Sequence, residues 1–306
     1  MQDQNIAITR RTFLGGAAAL AASSMLPNFM PAAFAAGARP NSKFNGVQIG
    51  AITYSYRSLP GSAEDLLKYI TECGISSVEL MGEPAEQFAR AHAGEKAGKS
   101  ASKEDSSALM DGFKALRKMY NDAGVTIHIV KFGDIGDAKM ADEKIEYYFQ
   151  AAKALGARGI TREISEEAAK RLGPIADKHE IMIGFHNHTQ LKPTTYDGDM
   201  LSYGKYLGIN FDIGHYVAGT NQMPIPMIEK HKDRILSLHI KDRKLNNGPN
   251  VPFGQGDTPV AAVLQYMKKN HLTFPADIEL EYPVPKDSDP VRETTKCVQF
   301  CKEALA

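Results

Sequence analysis

From residue 47 onward the chain alternates short apolar runs with amphipathic segments, and the alternation occurs eight times. Such a rhythm is typical of a parallel sheet built from strand-helix units, and eight even repeats favour a closed barrel over an open sheet. The 306 residues, of which 43% are apolar, suffice for one such domain, since these barrels commonly use about 250 residues. The sequence therefore predicts the α/β class, as a single-domain (β/α)8 TIM barrel.

The predicted strands cover residues 47–53, 75–81, 125–131, 158–163, 181–188, 208–213, 235–241 and 277–282. The predicted helices cover residues 63–73, 108–123, 142–155, 165–178, 226–232, 259–270 and 290–305. Three of these helices are followed directly by a glycine, namely Gly74, Gly124 and Gly156, which is a common helix stop because glycine adopts the left-handed conformation without strain. Two longer connections remain, 91–107 and 244–258, and both are predicted to be loops on the catalytic face. The first is a lid or a plain solvated insertion. The second is rich in glycine but contains no complete phosphate-binding motif.

The first 36 residues are predicted to be a twin-arginine signal peptide. Arg10 and Arg11 precede a stretch rich in Ala, Gly and Leu and then a zone of small residues around residues 33–36. Polar residues and Pro27 interrupt the apolar stretch, so we expect no permanent membrane anchor. The sequence thus predicts that the Tat export machinery is a partner, that the mature barrel covers residues 37–306, and that it works in the periplasm or outside the cell.

Composition narrows the class of ligand. Lys and Arg number 36, as do Asp and Glu, and the basic residues are scattered, which argues against a nucleic-acid partner. Three cysteines give no disulfide framework. A small carbohydrate is the expected partner, and a homo-oligomer is left open.

Acidic and imidazole side chains occur near the ends of the later predicted strands, at positions whose parity points them into the barrel. Since the carboxyl ends of all eight strands meet at one mouth, we expect these side chains to converge on one divalent cation, Mn, Mg, Co or Zn. The predicted metal ligands are Glu163, His188, Asp212, His239 and Glu281. The predicted catalytic residues are Glu279, His186, Lys241 and His215, and the predicted substrate-binding residues are Glu79, His128 and Tyr54. Parity alone leaves open whether Glu279 or Glu281, and whether His186 or His188, binds the metal.

Several of these predicted roles have a physical reason. Glu279 and Glu281 share one strand face and would repel each other in a dry barrel unless a cation or a proton lay between them. Lys241 shares its face with His239, where an ammonium could stabilise a developing oxyanion. Tyr54 could stack on a sugar ring or simply pack.

These motifs resemble the xylose isomerase-like family of sugar phosphate isomerases and epimerases, a family that also contains inosose dehydratases and abasic-site endonucleases. The motifs in question are Val78-Glu-Leu, Gly184-Phe-His-Asn-His, Asp212-Ile-Gly-His, Leu238-His-Ile-Lys-Asp, Pro252-Phe-Gly-Gln-Gly-Asp and Ile278-Glu-Leu-Glu-Tyr. The resemblance implies a divalent ion held by Asp212, His239 and either Glu281 or Glu279. At strand 5, where many of the epimerases have a glutamate, this chain has His186 and His188, which is more similar to the dehydratase branch.

The leading hypothesis is a metal-dependent isomerase or epimerase that abstracts a proton beside a carbonyl of an unphosphorylated sugar or keto-sugar. The second is a lyase, dehydratase or hydrolase acting on 3-keto-glycosides or inosose-like substrates. The third is a carbohydrate-binding barrel without catalysis. A nuclease is disfavoured because the surface lacks a basic groove.

Overall fold

The computed structural model describes residues 39–97 and 106–306. The predicted signal peptide therefore lies outside the described residues, as does part of the predicted loop 91–107. The described residues form one compact unit. Within the part of the chain that is described, no helix has both the length and the apolar character needed to cross a membrane.

Eight parallel strands form the barrel, and their order around it follows the order in the chain. They are β1 Val47–Ile52, β2 Ser77–Met81, β3 Thr126–Lys131, β4 Gly159–Glu163, β5 Met182–His186, β6 Leu207–Asp212, β7 Ile235–Ile240 and β8 Ala276–Ile278. β1 pairs in parallel with both β2 and β8, so the sheet is closed. The predicted (β/α)8 barrel is confirmed, and each observed strand begins within two residues of its predicted start.

Helices surround the barrel. They are α1 Ala63–Glu72, α2 Gly82–Ala97, α3 Ser106–Asp122, α4 Asp142–Leu155, α5 Glu166–His179, α6 Ile213–Thr220, α7 Ile225–His231, α8 Val260–Lys269 and α9 Pro290–Ala304. The predicted glycine stops are confirmed, since Gly74, Gly124 and Gly156 all have φ between 73° and 83°. Side-chain caps fix several helix starts. Ser165 accepts the backbone N–H of Ala168, and Asp289 accepts that of Arg292.

Two helices are additions to the prediction. The loop predicted for 91–107 is wrong over residues 91–97, because α2 extends to Ala97. The short helix α6 begins directly after β6, and its N-cap is the Asp212 carboxylate, which accepts the backbone N–H of His215. A short strand, Lys43–Phe44, pairs antiparallel with β1. The predicted loop 244–258 contains part of another short pairing, between Asp242–Arg243 and Asn250–Val251.

Strand register carries the polar residues into the interior in the predicted way. Glu163 lies beside His186, His186 beside Asn210, and Asp212 beside His239. Near the amino ends of the strands, Leu236 fills the space above two glycines. A Cβ on Gly159 or Gly184 would come within 3 Å of the Leu236 side chain, so both positions require glycine. The barrel is thereby packed at one end and polar at the other.

Candidate active site

Four side chains from four consecutive strands converge at the polar end of the barrel. The nearest donor atoms of His186, Asp212, His239 and Glu279 all lie within 4.8 Å of one another, and all four residues are buried. Two imidazoles with two carboxylates form a donor set that suits a divalent transition metal. Glu279 follows the last residue of β8, and its amide donates to the carbonyl of Ile240, which holds it beside β7.

His186 is arranged to offer a free nitrogen. Its Nδ1 lies 2.6 Å from Oδ1 of Asn210, and the Asn210 amide in turn donates to Ser237 Oγ at 2.6 Å and to Glu79 Oε2 at 3.3 Å. Because the amide oxygen can only accept, Nδ1 carries the proton and Nε2 keeps its lone pair. Burial, aided by the charge on His239, lowers the pKa of His186 to about 4. A neutral imidazole with a bonded Nδ1–H is the form that binds metals.

His239 lies between two carboxylates. Its Nε2 is 2.9 Å from Glu79 Oε2, and its Nδ1 is 3.1 Å from Glu279 Oε2. Both partners can only accept, so both ring nitrogens carry protons. Burial by itself lowers the pKa of His239, but the two carboxylates outweigh it and raise the pKa well above the usual value. A metal at Nδ1 would take the place of one proton and leave Nε2–H bonded to Glu79, an arrangement that is common at metal sites.

Asp212 supplies an unsatisfied acceptor. Its Oδ1 accepts the His215 backbone N–H at 2.6 Å, while the buried Oδ2 has no well-directed hydrogen bond, although Lys241 Nζ lies 2.9 Å from it. Asn187 clamps the backbone of Asp212 from both sides, at 2.9 and 3.0 Å. A carboxylate that is held in place and has an oxygen without a well-directed hydrogen bond fits a cation ligand. The residues present therefore fit the metal that the sequence predicts.

Lys241 lies at the centre of the acidic groups. Its ammonium is 2.6 Å from both Glu279 Oε2 and Glu281 Oε2, and its side chain is only 2% exposed. Burial lowers the pKa of Lys241, but the three surrounding carboxylates raise it above its ordinary value. An ammonium has three protons, and four acceptors already lie within 3.0 Å of it, namely one oxygen from each of the three carboxylates and His215 Nε2. The predicted role of Lys241 in binding a substrate oxyanion therefore disagrees with its contacts.

His215, also predicted to be catalytic, faces two cationic donors. Its Nε2 is 3.0 Å from Lys241 Nζ, and its Nδ1 is 2.6 Å from the Arg243 guanidinium. Burial and then the charge of Lys241 lower the pKa of His215 to about 3, so the ring is neutral. It contributes to a second group of possible metal donors, formed by His186, His188 and His215.

A cavity of about 240 Å³ opens onto the cluster. Its lining residues are Ile52, Tyr54, Met81, Lys131, Glu163, His186, His188, His239, Glu279 and Glu281. Tyr54 is 39% exposed, and the Arg57 guanidinium lies 4.5 Å from its ring centre, so one ring face is already covered. Tyr54 thus lines the cavity, and its role in substrate binding stays a prediction.

Glu163 and His188 also line this cavity. Glu163 Oε1 accepts from Lys131 at 3.0 Å, and Oε2 lies 3.3 Å from His188 Nδ1 without a well-directed hydrogen bond. Burial raises the pKa of Glu163, but Lys131 and the neighbouring imidazoles lower it more, so the carboxylate is ionised. Both residues were predicted as metal ligands. Among the described residues, Glu163 belongs to neither group of possible metal donors, whereas His188 belongs to the second group with His186 and His215.

The strand-8 pair is also arranged differently from the prediction. Glu279 belongs to the metal-donor cluster, whereas Glu281 is nearer the mouth and contacts Lys241, with Asn250 Nδ2 at 3.4 Å. The two predicted catalytic residues His186 and Glu279 thus occupy ligand positions. The reason is depth, since the donors lie at the strand ends, whereas His188 and Glu281 come two residues further toward the mouth.

Two predicted substrate-binding residues lie behind the cavity. Glu79 is fully buried and bonds His239 and, at 2.5 Å, Thr161. His128 is a layer deeper, where Nδ1 is 2.8 Å from Ser77 Oγ and Nε2 is 2.9 Å from Asp277. Among the described residues, neither lines the cavity. The predicted contact of His128 with substrate therefore stays a prediction that its position does not support, while Glu79 contacts the site through His239.

Sequence reasoning missed three polar residues that support the site. Asn210 orients His186, and Arg243 contacts His215. Asp242 fixes the loop after β7, because its carboxylate accepts hydrogen bonds at 2.8 to 3.1 Å from the backbone amides of Gly254, Gly256 and Thr258. Inward parity could have identified Asn210. Asp242 is outside the barrel register, and because it consumes the loop amides, they are not free to cradle a phosphate.

Comparisons with known proteins agree with this architecture. The profile described as xylose isomerase-like TIM barrel matches residues 67–303. No curated protein gives a significant match.

Solved structures show the same fold at low identity. The probable 3-DHS dehydratase AsbF of petrobactin synthesis from Bacillus anthracis is similar with a TM-score of 0.62 and 14% identity, over 83% of this chain and 99% of that one. A sugar phosphate isomerase/epimerase from Parabacteroides distasonis has a TM-score of 0.56 and 18% identity, over 83% and 95%. An L-ribulose 3-epimerase has a TM-score of 0.60 and 11% identity, over 85% and 94%. At these identities the likeness shows the fold alone. The profile match, which spans most of the chain, shows that this protein belongs to the xylose isomerase-like TIM barrel family.

Proposed function

We propose that this protein is a divalent-metal-dependent enzyme that abstracts a proton beside the carbonyl of an unphosphorylated sugar or keto-sugar, as sugar isomerases and epimerases do. The observation that carries the proposal is the convergence of His186, Asp212, His239 and Glu279 beside a cavity that an ionised glutamate, Glu163, also lines. The family contains sugar isomerases and epimerases, and the solved relatives named above include epimerases and a probable dehydratase.

In this proposal, the four clustered residues hold the metal, which when bound acts as a Lewis acid toward the substrate carbonyl. Glu163 is the proton acceptor, because it lines the cavity and its Oε2 has no well-directed hydrogen bond. Lys131 keeps that carboxylate ionised and oriented through Oε1. His188, 3.3 Å from Oε2, receives or returns the proton at Nδ1. The half-exposed ring of Tyr54 provides an apolar face for the sugar.

The first experiment is elemental analysis of the purified mature protein, followed by incubation with ketoses and keto-glycosides in heavy water. We expect one equivalent of a divalent transition metal and deuterium at the carbon beside the carbonyl. The Glu163→Gln variant should bind metal like the parent but lose deuterium exchange by about 10² to 10⁴-fold. Glu146→Gln is the matched control, since Glu146 also pairs with an imidazole, that of His179 at 2.8 Å, but outside the barrel. Unchanged exchange in Glu163→Gln would contradict the assignment of the base.

A second function, elimination or aglycone release from an inosose-like substrate or a 3-keto-glycoside, is favoured by one observation. His188 lies beside the proposed base and is half exposed to the cavity, so it can protonate a leaving oxygen after proton abstraction. Product analysis separates the two functions. Solvent label in recovered sugar without loss of any group indicates isomerase or epimerase chemistry, whereas release of water or of an aglycone indicates a lyase or hydrolase.

We also propose that the chain is exported by the Tat machinery, on the strength of the Arg10-Arg11 pair and the small residues that follow. Cell fractionation of the parent and of an Arg10→Lys, Arg11→Lys double variant tests this. The parent is expected outside the cytoplasm and the variant inside it. Equal distribution of the two would contradict export by this route.

A further inference from the structure

The most unusual side chain of the described barrel is Lys241, because its ammonium is enclosed beside the cluster of residues that is expected to hold a divalent cation. Its Nζ contacts one oxygen from each of three carboxylates, Asp212 at 2.9 Å and Glu279 and Glu281 at 2.6 Å. Gly214, in the first turn of α6, makes room for the lysine stem, since a Cβ there would lie 2.3 Å from Lys241 Cγ. The site is therefore built around this lysine.

Two of the three carboxylates are also members of the metal-donor cluster. The ammonium contacts Asp212 Oδ2, which is otherwise unpaired, and Glu279 Oε2, which also faces His239. A second cation that uses the same carboxylates would be repelled by the ammonium at short range in a poorly screened environment. Ammonium and metal therefore compete for the same negative charge.

Glu281 offers the ammonium another partner. It is nearer the cavity mouth, its side chain is 21% exposed, and it does not belong to the four-residue cluster. Lysine has a flexible four-carbon stem, so a small displacement can release Asp212 and Glu279 while the contact with Glu281 is kept.

We propose that Lys241 is an internal counter-ion that occupies the acidic site when it is metal-free and moves onto Glu281 when a divalent metal enters, so that the lysine sets the metal affinity. The inference rests on the proposed function only in requiring a metal at this cluster. The counter-ion role also explains why the lysine is buried without making it a nucleophile, since a protonated ammonium has no lone pair to attack a carbonyl.

The test is metal binding by the stripped full-length protein without substrate, measured by titration calorimetry with Mn²⁺ and Zn²⁺. We expect Lys241→Met to bind metal about tenfold or more tightly than the parent, because the competing cation is gone. The stripped variant should melt at a lower temperature than the stripped parent, because its carboxylates lack a counter-ion. Added metal should abolish this difference in melting temperature. Lys131→Met is the matched control, since Lys131 lines the same cavity but pairs with Glu163, and its affinity should change by less than about threefold.

A second variant keeps the inference open to contradiction if Lys241→Met does not fold. Glu281→Gln removes the alternative partner, so it should weaken metal binding in the parent but have little effect in the Lys241→Met background, a non-additivity that a double-mutant cycle measures.

Equal or weaker metal binding by Lys241→Met, or equal weakening by Glu281→Gln in both backgrounds, overturns the counter-ion role while leaving the metal enzyme intact. Absence of metal binding in the parent and in both variants overturns the counter-ion role and the metal in the proposed function together.

Discussion

On the barrel strands that the structure describes, two buried histidines are each bonded at both ring nitrogens to neighbouring strands, and only one of them belongs to the candidate active site. His239 lies between Glu79 and Glu279 and faces the cavity, while His128 lies between Ser77 and Asp277 near the amino ends of the strands. Gly50 gives Asp277 its space, since a Cβ there would overlap Oδ1. The cavity thus reaches His239 in the upper layer but not His128 in the lower one. The comparison teaches that an acid-imidazole pair within a barrel indicates a site only at the end of the strands where a cavity reaches it.

Removing each imidazole in turn tests whether the two layers differ in metal binding and catalysis. We expect His239→Gln to abolish metal binding and to reduce deuterium exchange by about a thousandfold, because several kcal/mol of Lewis-acid stabilisation is lost. His128→Gln should keep metal and exchange close to parental values. Calorimetry and the exchange assay measure both. Comparable losses in the two variants would mean that the layers are not functionally separate.

Removal of the lower carboxylate should affect stability instead of chemistry. Asp277→Ala leaves a nitrogen of the buried His128 without its partner, and we expect the free energy of unfolding to fall by about 2 to 3 kcal/mol. Urea unfolding gives this value, and metal affinity of the folded variant serves as the second measurement. A metal affinity that falls in step with stability would contradict the structural role.

The carboxylate behind His239 should have an intermediate effect. In Glu79→Gln the side chain keeps its shape, but it loses the charge that orients His239 through Nε2. Outer partners of this kind change metal affinity by about 10 to 100-fold. Titration of the stripped variant with Zn²⁺ checks the prediction. An affinity equal to that of the parent would indicate that the charge of Glu79 is not needed to orient His239.

The smallest effect is expected at the rim. Tyr54→Ala removes an aromatic face worth about 1 kcal/mol, so KM should rise about fivefold with little change in kcat. Steady-state kinetics on the sugar identified by deuterium exchange tests this. A large loss of kcat would place Tyr54 in the chemistry.

Much of the fold could be predicted because the eight-fold alternation and the strand parity are local properties of the sequence. The helix α2 was missed over residues 91–97 because its small and polar residues give no clear apolar stripe. The short α6 was missed because its sequence, Ile213–Thr220, is almost wholly buried and so lacks amphipathic contrast.

The site was predictable as a set of residues and less so as a set of roles. Parity placed His186, Asp212, His239 and Glu279 inside the barrel, but it carries no information on depth. Depth decides that His186 and Glu279 join the cluster, while His188 and Glu281 remain nearer the mouth.

The sequence by itself determined the closed barrel and the end of it that carries the chemistry, because both follow from repeated local patterns of apolar and polar residues. Only the tertiary structure decided that Lys241 is enclosed by three carboxylates and that Glu163 faces the cavity with an unpaired oxygen. Those contacts join residues from different strands at distances of a few ångströms. They depend on the register and closure of the whole sheet, which no local pattern encodes.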